Sequence, residues 1–164
     1  MDLPGNTGVT VIPTGASLGA DIVGVDLSRA IDSAQFKAIE DAWHRHLVLR
    51  FRDQRLDDPR FLAFARLFGE LDRAPIHAGD KVEDPYPEIT VMSNIKVDGK
   101  PIGNLGHYEA EWHTDMSYNE KTPIGSLLYA IEVPPAGGDT GFSNMHEAYD
   151  TLAGSLKRAI ATLQ

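Results

Sequence analysis

The sequence predicts a mixed α and β fold in which antiparallel strands dominate, with flanking amino-terminal helices. Short β-branched runs at Val9–Ile12 and Ile22–Val25 are separated by prolines and glycines, which is typical of strands joined by turns. Apolar residues from Phe36 to Leu47 then recur at helical spacing. Further along, Asp98-Gly99 lies between two short apolar stretches, which indicates a β-hairpin.

The first helix has a clear start signal. Asp32 is followed three residues later by Gln35, the spacing of a capping box, and the apolar period continues to the region of His46. We therefore predict a helix over residues 33–46. The next run, Leu47–Phe51, is apolar and β-branched, and predicts a buried strand.

A second helix is predicted after residue 56. Asp57, Asp58 and Pro59 form an N-cap and first turn, and Gly69 marks the expected carboxy-terminal end. Its apolar positions are Phe61, Phe64, Leu67 and Phe68. Residues 71–87 contain three prolines and no apolar period, so they predict a long loop, a kind of segment that often carries binding residues.

The sequence after residue 88 predicts more strands and two terminal helices. The expected strands are residues 89–92, 95–97, 101–102, 111–118, 124–133 and 139–142, and the helices are 144–152 and 156–163. We find no repeat or linker, so we predict a single domain over residues 1–164. Since the last helical period continues to Gln164 without a cap, we expect the chain to be the amino-terminal portion of a longer domain.

Composition excludes several classes of protein. The 164 residues include 15 Lys and Arg, 24 Asp and Glu, and no Cys, giving a formal charge of -9. Disulfides and thiolate metal sites are excluded, and the acidic balance disfavours a nucleic-acid partner. No apolar run has the length of a membrane span and no signal peptide is recognisable, so we expect a cytoplasmic protein without a membrane partner.

The residues most capable of chemistry are His113 and Asp115. Two residues apart in a predicted strand, they share one face and can reach one ion together. An imidazole nitrogen and a carboxylate oxygen suit Fe(II), and also Zn, Mn or Ni. The alternative is a hydrogen-bonded surface pair. A zinc hydrolase of the His-x-His-x-Asp kind is disfavoured, because position 111 is Glu111.

The surroundings of this pair resemble a known family. From Trp112 to Leu152 the order and spacing of motifs are similar to those of the taurine dioxygenase/2,4-D dioxygenase (TauD/TfdA) family. The motifs are Trp112-His113-Thr114-Asp115, Thr122-Pro123, Ser126-Leu127-Leu128, Pro134-Pro135, Gly137-Gly138-Asp139-Thr140, Ala148-Tyr149 and Leu152. Upstream, Gly24-Val25-Asp26-Leu27, Phe51-Arg52-Asp53-Gln54 and Phe68-Gly69-Glu70-Leu71 also resemble the amino-terminal half of that family.

The resemblance implies both a fold and an activity. The expected fold is a double-stranded β-helix (jelly roll), here incomplete, flanked by amino-terminal helices. The expected enzyme is an Fe(II)- and 2-oxoglutarate-dependent dioxygenase, with dioxygen as co-reactant and a small organic molecule as substrate. It would hydroxylate or otherwise oxidise a C–H bond while 2-oxoglutarate is decarboxylated to succinate. Family halogenases replace the carboxylate ligand by a small residue, so Asp115 favours oxygen transfer.

The resemblance also assigns roles to residues. His113 and Asp115 would be two of three iron ligands, and Thr140 would hydrogen-bond the distal carboxylate of 2-oxoglutarate. The family's second iron-binding His and its 2-oxoglutarate-binding Arg lie in a carboxy-terminal half that this sequence does not contain, and His146 is placed where the family has scaffold. We therefore expect a complementing carboxy-terminal portion or a homo-oligomer. The alternative function is a truncated, catalytically inactive fragment or binding module of the same fold.

Other pocket residues are predicted from their positions. Asn94, at the end of a predicted strand, lies where the resemblance implies a pocket-facing region and is a candidate for contacting substrate or cosubstrate. His107 and Glu109, in a glycine-rich insert, are further candidates for contacting substrate. The taurine enzyme's substrate-binding His and Asn positions correspond to Ala74 and Glu109, which disfavours taurine itself. The aromatic residues beside the candidate site, Trp112 and Tyr118, are predicted to pack in the core.

Overall fold

The computed structural model of the chain describes residues 7–73, 85–103 and 111–163. Its elements in chain order are β1 (Thr10–Pro13), β2 (Ala20–Val23), α1 (Ser33–His46), β3 (Leu49–Phe51), α2 (Asp58–Ala65), β4 (Lys96–Val97), β5 (Lys100–Pro101), α3 (Met145–Thr151) and α4 (Gly154–Ile160). Two compact units are formed, one by Met1–Leu56 with Ile131–Gln164 and one by Asp57–Ala130. The single-domain organisation over residues 1–164 stays a prediction.

The first unit contains a three-stranded sheet in the order β1-β2-β3. β1 and β2 are antiparallel, with Thr10 opposite Val23, as expected for two strands joined by a turn. β2 and β3 are parallel, with Ala20 opposite Leu49, and α1 forms the crossover between them. Since parallel neighbours need such a crossover, β2 becomes the central strand.

Several predicted strand boundaries in this sheet are wrong: β1 covers Thr10–Pro13 rather than residues 9–12, and β2 begins at Ala20 rather than Ile22. The second strand ends at Val23 rather than residue 25, because Gly24 adopts φ +85° and approaches the backbone closely. A Cβ at Gly24 would lie 1.9 Å from the carbonyl oxygen of Gly8. The third strand begins at Leu49 rather than Leu47, because Leu47 takes φ +65° as the C-cap of α1.

Helix α1 begins and ends where the sequence predicts. Asp32 Oδ1 accepts from the backbone N–H of Gln35 at 2.8 Å, while the Asp32 N–H donates to Gln35 Oε1 at 3.2 Å, so the capping box is present. The helix buries Ile39 and Ala42. Together with Ala20, Ile22 and Leu27 they are the buried apolar residues of the first unit, so its core lies between α1 and the sheet.

Helix α2, in the second unit, is shorter than predicted. Asp57 caps it by accepting from the Arg60 N–H at 2.9 Å, as expected. The helix ends at Ala65 instead of continuing to Gly69. After Ala65 the backbone hydrogen bonds span three residues instead of four, and the Phe68 N–H donates to the Ala65 carbonyl at 3.1 Å. Bonds of this i to i+3 kind are common where a helix ends.

The predicted hairpin is confirmed at β4 and β5. Lys96 pairs with Pro101 and Val97 with Lys100. The turn residues Asp98 and Gly99 adopt φ +51° and +75°, the left-handed backbone that this type of two-residue turn requires.

The two terminal helices of the first unit are close to their predicted positions. Asn144 caps α3 by accepting from the Glu147 N–H at 3.1 Å, and its amide also donates to the Ser17 carbonyl at 2.8 Å. Helix α4 begins at Gly154 and ends at Ile160, slightly earlier than predicted. Within the described part of the chain, no helix has the length and hydrophobicity needed to cross a membrane.

Four predicted strands are wrong: residues 89–92, 111–118, 124–133 and 139–142 form none. A strand is stable only when a neighbour completes its hydrogen bonds, and none of these segments pairs with another described segment. In the segment 111–118 the chain also turns, with Met116 at φ +49°. The mixed α and β content is as predicted, but strands do not dominate the described residues.

Candidate metal centre

The candidate centre lies on an irregular segment of the second unit. His113 precedes a turn at residues 115–118, and Asp115 is its first residue. The Asn119 N–H donates to the Met116 carbonyl at 3.0 Å across this turn. His113 Nε2 and Asp115 Oδ1 lie 3.1 Å apart. The predicted proximity is therefore present, although it arises from a turning loop and not from a shared strand face.

Each of the two side chains is held by a further partner. His113 Nδ1 lies 2.7 Å from the Glu111 carbonyl oxygen, which can only accept, so Nδ1 carries the proton of this bond. The Ser126 hydroxyl donates to Asp115 Oδ2 at 2.8 Å. These contacts leave Nε2 and Oδ1 facing each other, with 62% of the His113 and 54% of the Asp115 side chain exposed. Both side chains are therefore open to solvent.

The electrostatics of the pair favour a positive charge between its members. The hydrogen bond from Nδ1 to the Glu111 carbonyl is the main cause of a raised His113 pKa, and the hydrogen bond and charge of Asp115 raise the same pKa further. With Nδ1 protonated, a neutral His113 would direct the lone pair of Nε2 at a carboxylate oxygen. A proton or a metal cation on Nε2 relieves that repulsion.

The donor atoms fit two positions of a metal coordination shell. Ligands bonded at about 2.1 Å and about 90° to one first-row metal ion lie about 3.0 Å apart, close to the observed separation. One imidazole nitrogen and one carboxylate oxygen are the donors expected for Fe(II), Mn or Zn. Among residues 7–73, 85–103 and 111–163, no group of three His, Cys, Asp or Glu side chains is placed to hold an ion.

Of the other predicted site residues, the structure describes Asn94 and Thr140. In the second unit, Asn94 is exposed and precedes β4. In the first unit, Thr140 is exposed in an irregular segment, and His146 is exposed in the first turn of α3. His107 and Glu109 lie outside the described residues, as does Ala74.

A shallow open depression of about 660 Å³ lies elsewhere on the second unit. It is lined by Arg66, Gly69, Glu70, Leu71 and Glu88. An ion pair between Arg66 and Glu88, at 3.0 Å, crosses it. None of its lining residues is a predicted site residue, so the depression gives no support for the predicted substrate pocket.

Two contacts of the pair were not predicted from the sequence. The Glu111 carbonyl is a backbone group, whose direction no side-chain pattern encodes. Ser126 lies 11 residues beyond Asp115, which is too far for a local spacing rule to predict the contact. The sequence marks Ser126 only as part of the family motif Ser126-Leu127-Leu128. The Ser126 contact depends on how the chain returns after the turn that begins at Asp115.

A family model described as "Taurine catabolism dioxygenase TauD, TfdA family" matches residues 10–164. This chain belongs to the TauD/TfdA family. The match covers nearly all of the chain and includes both His113 and Asp115, so the family predicted from the motifs is confirmed.

Individual relatives of this TauD/TfdA chain agree with the assignment. The alpha-ketoglutarate-dependent 2,4-dichlorophenoxyacetate dioxygenase of Burkholderia sp. (strain RASC) is 35% identical over 147 residues, which are 84% of this chain and 49% of that protein. Pentalenolactone F synthase of Streptomyces avermitilis is 37% identical over 158 residues, 93% of this chain and 50% of that protein.

A solved structure gives the same assignment. The crystal structure of a taurine dioxygenase from Burkholderia xenovorans superposes with a TM-score of 0.69 at 26% identity, covering 94% of this chain and 52% of that one. The chain thus spans about half the length of the proteins that it matches. The enzymes of the family use Fe(II), 2-oxoglutarate and dioxygen, as the resemblance implied.

Proposed function

We propose that this chain carries part of the active site of an Fe(II)- and 2-oxoglutarate-dependent dioxygenase that oxidises a C–H bond of a small organic substrate. One observation carries the proposal. In a TauD/TfdA chain, His113 Nε2 and Asp115 Oδ1 face each other at 3.1 Å, at the separation of two ligands of one metal ion.

The roles of these residues follow from their contacts. His113 would bind Fe(II) through Nε2, because Nδ1 is directed at the Glu111 carbonyl. Asp115 would bind through Oδ1, because Oδ2 accepts from Ser126. When bound, Fe(II) with 2-oxoglutarate and dioxygen supplies the oxidising chemistry, with release of succinate and carbon dioxide. The side chains hold and orient these groups.

Thr140 is proposed to hydrogen-bond the distal carboxylate of 2-oxoglutarate. Its support is the family motif Gly137-Gly138-Asp139-Thr140, and its exposed hydroxyl is free to meet a ligand from solvent. Asn94, His107 and Glu109 stay candidates for substrate contact.

The complete site needs more than the described residues. We propose that the third ligand and an Arg for 2-oxoglutarate come from a carboxy-terminal portion or a second chain, and that they complete a double-stranded β-helix. The superposition on taurine dioxygenase supports that fold. The relatives' names, a dichlorophenoxyacetate dioxygenase and a pentalenolactone F synthase, point to small organic substrates of differing structure. The cytoplasmic location stays a prediction.

An anaerobic titration with Fe(II) and then 2-oxoglutarate tests the proposal. We expect a visible metal-to-ligand charge-transfer band, lost in His113→Ala and in Asp115→Ala. His146→Ala is the matched control, since His146 is exposed on α3 and has no predicted role as a ligand. A band that survives both site variants overturns the proposed ligands. A folded chain that forms no band overturns completion of the site by a second copy of this chain. Succinate release in the presence of dioxygen then identifies the substrate from a panel of small organic acids and amino acids.

A further inference from the structure

Ser126 makes a contact with the candidate metal centre that neither the motif nor the family assignment gives a role. Its hydroxyl donates to Asp115 Oδ2 at 2.8 Å, across 11 residues of chain. The other oxygen of the same carboxylate faces His113 Nε2 at 3.1 Å. The two carboxylate oxygens of Asp115 therefore have different neighbours, His113 at Oδ1 and Ser126 at Oδ2.

This arrangement restrains the rotation of the Asp115 carboxylate about its last side-chain bond. The carboxylate plane of an aspartate turns broadly about its last side-chain bond, so an exposed Asp presents either oxygen, or both, to an ion. A hydroxyl held on Oδ2 fixes the plane, and its bond is strengthened by the negative charge of the acceptor. It also competes with a cation for Oδ2, the second oxygen that bidentate binding would need. Oδ1 is then the oxygen left for a metal.

We propose that Ser126 is a positioning residue of the metal centre, holding Asp115 so that it binds metal through Oδ1 alone, on the side of His113 Nε2. The inference rests on the proposed function, because it takes Asp115 to be a ligand. Ser126 acts through Asp115 and touches neither metal nor substrate. Residues that orient metal ligands in this way commonly change metal affinity by 10- to 100-fold. Because Asp115 and His113 are more than half exposed, we expect the lower end of that range.

The experiment uses the 164-residue chain and Mn(II) alone as the probe. Water-proton relaxation measures the Mn(II) dissociation constant of the wild type and of Ser126→Ala, which we expect to bind about tenfold more weakly. Ser126→Thr keeps a hydroxyl at the position and should restore binding to within about twofold of the wild type. Ser117→Ala is the matched control, since Ser117 lies two residues from Asp115 and has no side-chain hydrogen bond within the described residues.

A second readout separates positioning from a general loss of structure. With Co(II) in place of Mn(II), Ser126→Ala frees Oδ2 for bidentate binding. The higher coordination number should weaken the visible ligand-field bands relative to the wild type and to Ser126→Thr. Equal circular dichroism spectra of the variants establish that they are folded.

The outcomes distinguish this inference from the proposed function. If Asp115→Ala loses Mn(II) binding while Ser126→Ala binds as tightly as the wild type with an unchanged Co(II) spectrum, Ser126 has no positioning role and the metal site stands. If His113→Ala and Asp115→Ala also bind Mn(II) like the wild type, the metal site itself is wrong. Weaker binding in Ser117→Ala equal to that in Ser126→Ala would likewise overturn the positioning role.

Discussion

Two regions of the molecule have similar strand-forming sequences and different structures. In the sheet region, residues 10–51, β2 has a strand on each side and α1 packed against it, and Ile22 and Ile39 are 2% and 0% exposed. In residues 111–130, which include most of two predicted strands, Ile124 is 71% exposed, and no residue is in a strand. β-branched and apolar residues give a segment the capacity to form a strand, but a pairing neighbour and a covering layer decide whether it does.

The aromatic residues show the same contrast. Trp112 and Tyr118 were predicted to pack in the core, and this prediction is wrong, since they are 76% and 77% exposed. In the second unit, the apolar residues that are buried lie on α2, namely Leu62, Phe64 and Ala65. Burial therefore follows the regular elements of this chain more closely than the hydrophobicity of its residues.

The largest loss of stability should come from truncating a buried side chain in the sheet region. Ile39→Ala removes a fully buried side chain between α1 and the sheet and leaves a cavity, so we expect the free energy of unfolding to fall by about 3 to 4 kcal/mol. Ile124→Ala makes the same chemical change at an exposed site and should stay within about 0.5 kcal/mol of the wild type. Urea unfolding followed by circular dichroism measures both. Equal losses would mean that the two regions are equally packed.

A second test concerns the close backbone approach that ends β2. Gly24→Ala places a Cβ 1.9 Å from the Gly8 carbonyl oxygen at φ +85°, and should cost about 3 kcal/mol. Gly15 has a similar φ, +81°, but nothing lies within 4 Å of its added Cβ, so Gly15→Ala should cost about 1 kcal/mol. Thermal unfolding of the pair separates the steric effect from the backbone effect. A Gly15→Ala loss as large as that of Gly24→Ala would attribute both to φ alone.

A smaller effect is expected at Asn144, which connects α3 to the loop before β2. Asn144→Ala removes the helix cap and the bond to the Ser17 carbonyl, and should cost about 1 to 2 kcal/mol. Asn144→Asp keeps an acceptor for the Glu147 N–H but cannot donate to Ser17, so we expect roughly half of that loss. Hydrogen exchange of the α3 amides should stay slow in the Asp variant and become fast in the Ala variant. Fast exchange in both would show that the Ser17 bond, not the cap, holds the helix.

The smallest effect is a pH dependence of the sheet. The hydrogen bond from Arg50 is the main cause that lowers the Asp21 pKa below the ordinary range, with the charges of Arg50 and Arg52 contributing. A lowered folded-state pKa gives stability that is present above the unfolded value, about 3.9, and is lost as pH falls through the folded value.

Arg50→Gln tests this dependence. It should raise the Asp21 pKa towards its unfolded value in a carboxyl NMR titration. Arg52→Gln should move that pKa less, because Arg52 lies 3.9 Å from Asp21 whereas Arg50 lies at 2.6 Å. A larger shift from Arg52→Gln would reverse the assigned causes.

The candidate site shows how far sequence reasoning reaches. The contact between His113 and Asp115 was predicted from their spacing, since only Thr114 lies between them. The stated reason, a shared strand face, is wrong. The contact of Ser126 with Asp115 required the chain to return after a turn, which no residue pattern specifies. Thr140 and His107 illustrate a limit of sequence reasoning, because a motif or a position marks a candidate residue without showing which groups it contacts.

The sequence by itself determined the features that depend on near neighbours. These are the capping box and extent of α1, the turn at Asp98 and Gly99, the caps of α2 and α3, and the motifs that identify the TauD/TfdA family. Only the tertiary structure decided that β2 is central and parallel to β3, that residues 111–118 and 124–133 form no strand, and that Ser126 meets Asp115. The reason is that capping and turn energies act within a few residues, whereas strand pairing and burial depend on segments brought together from distant parts of the chain.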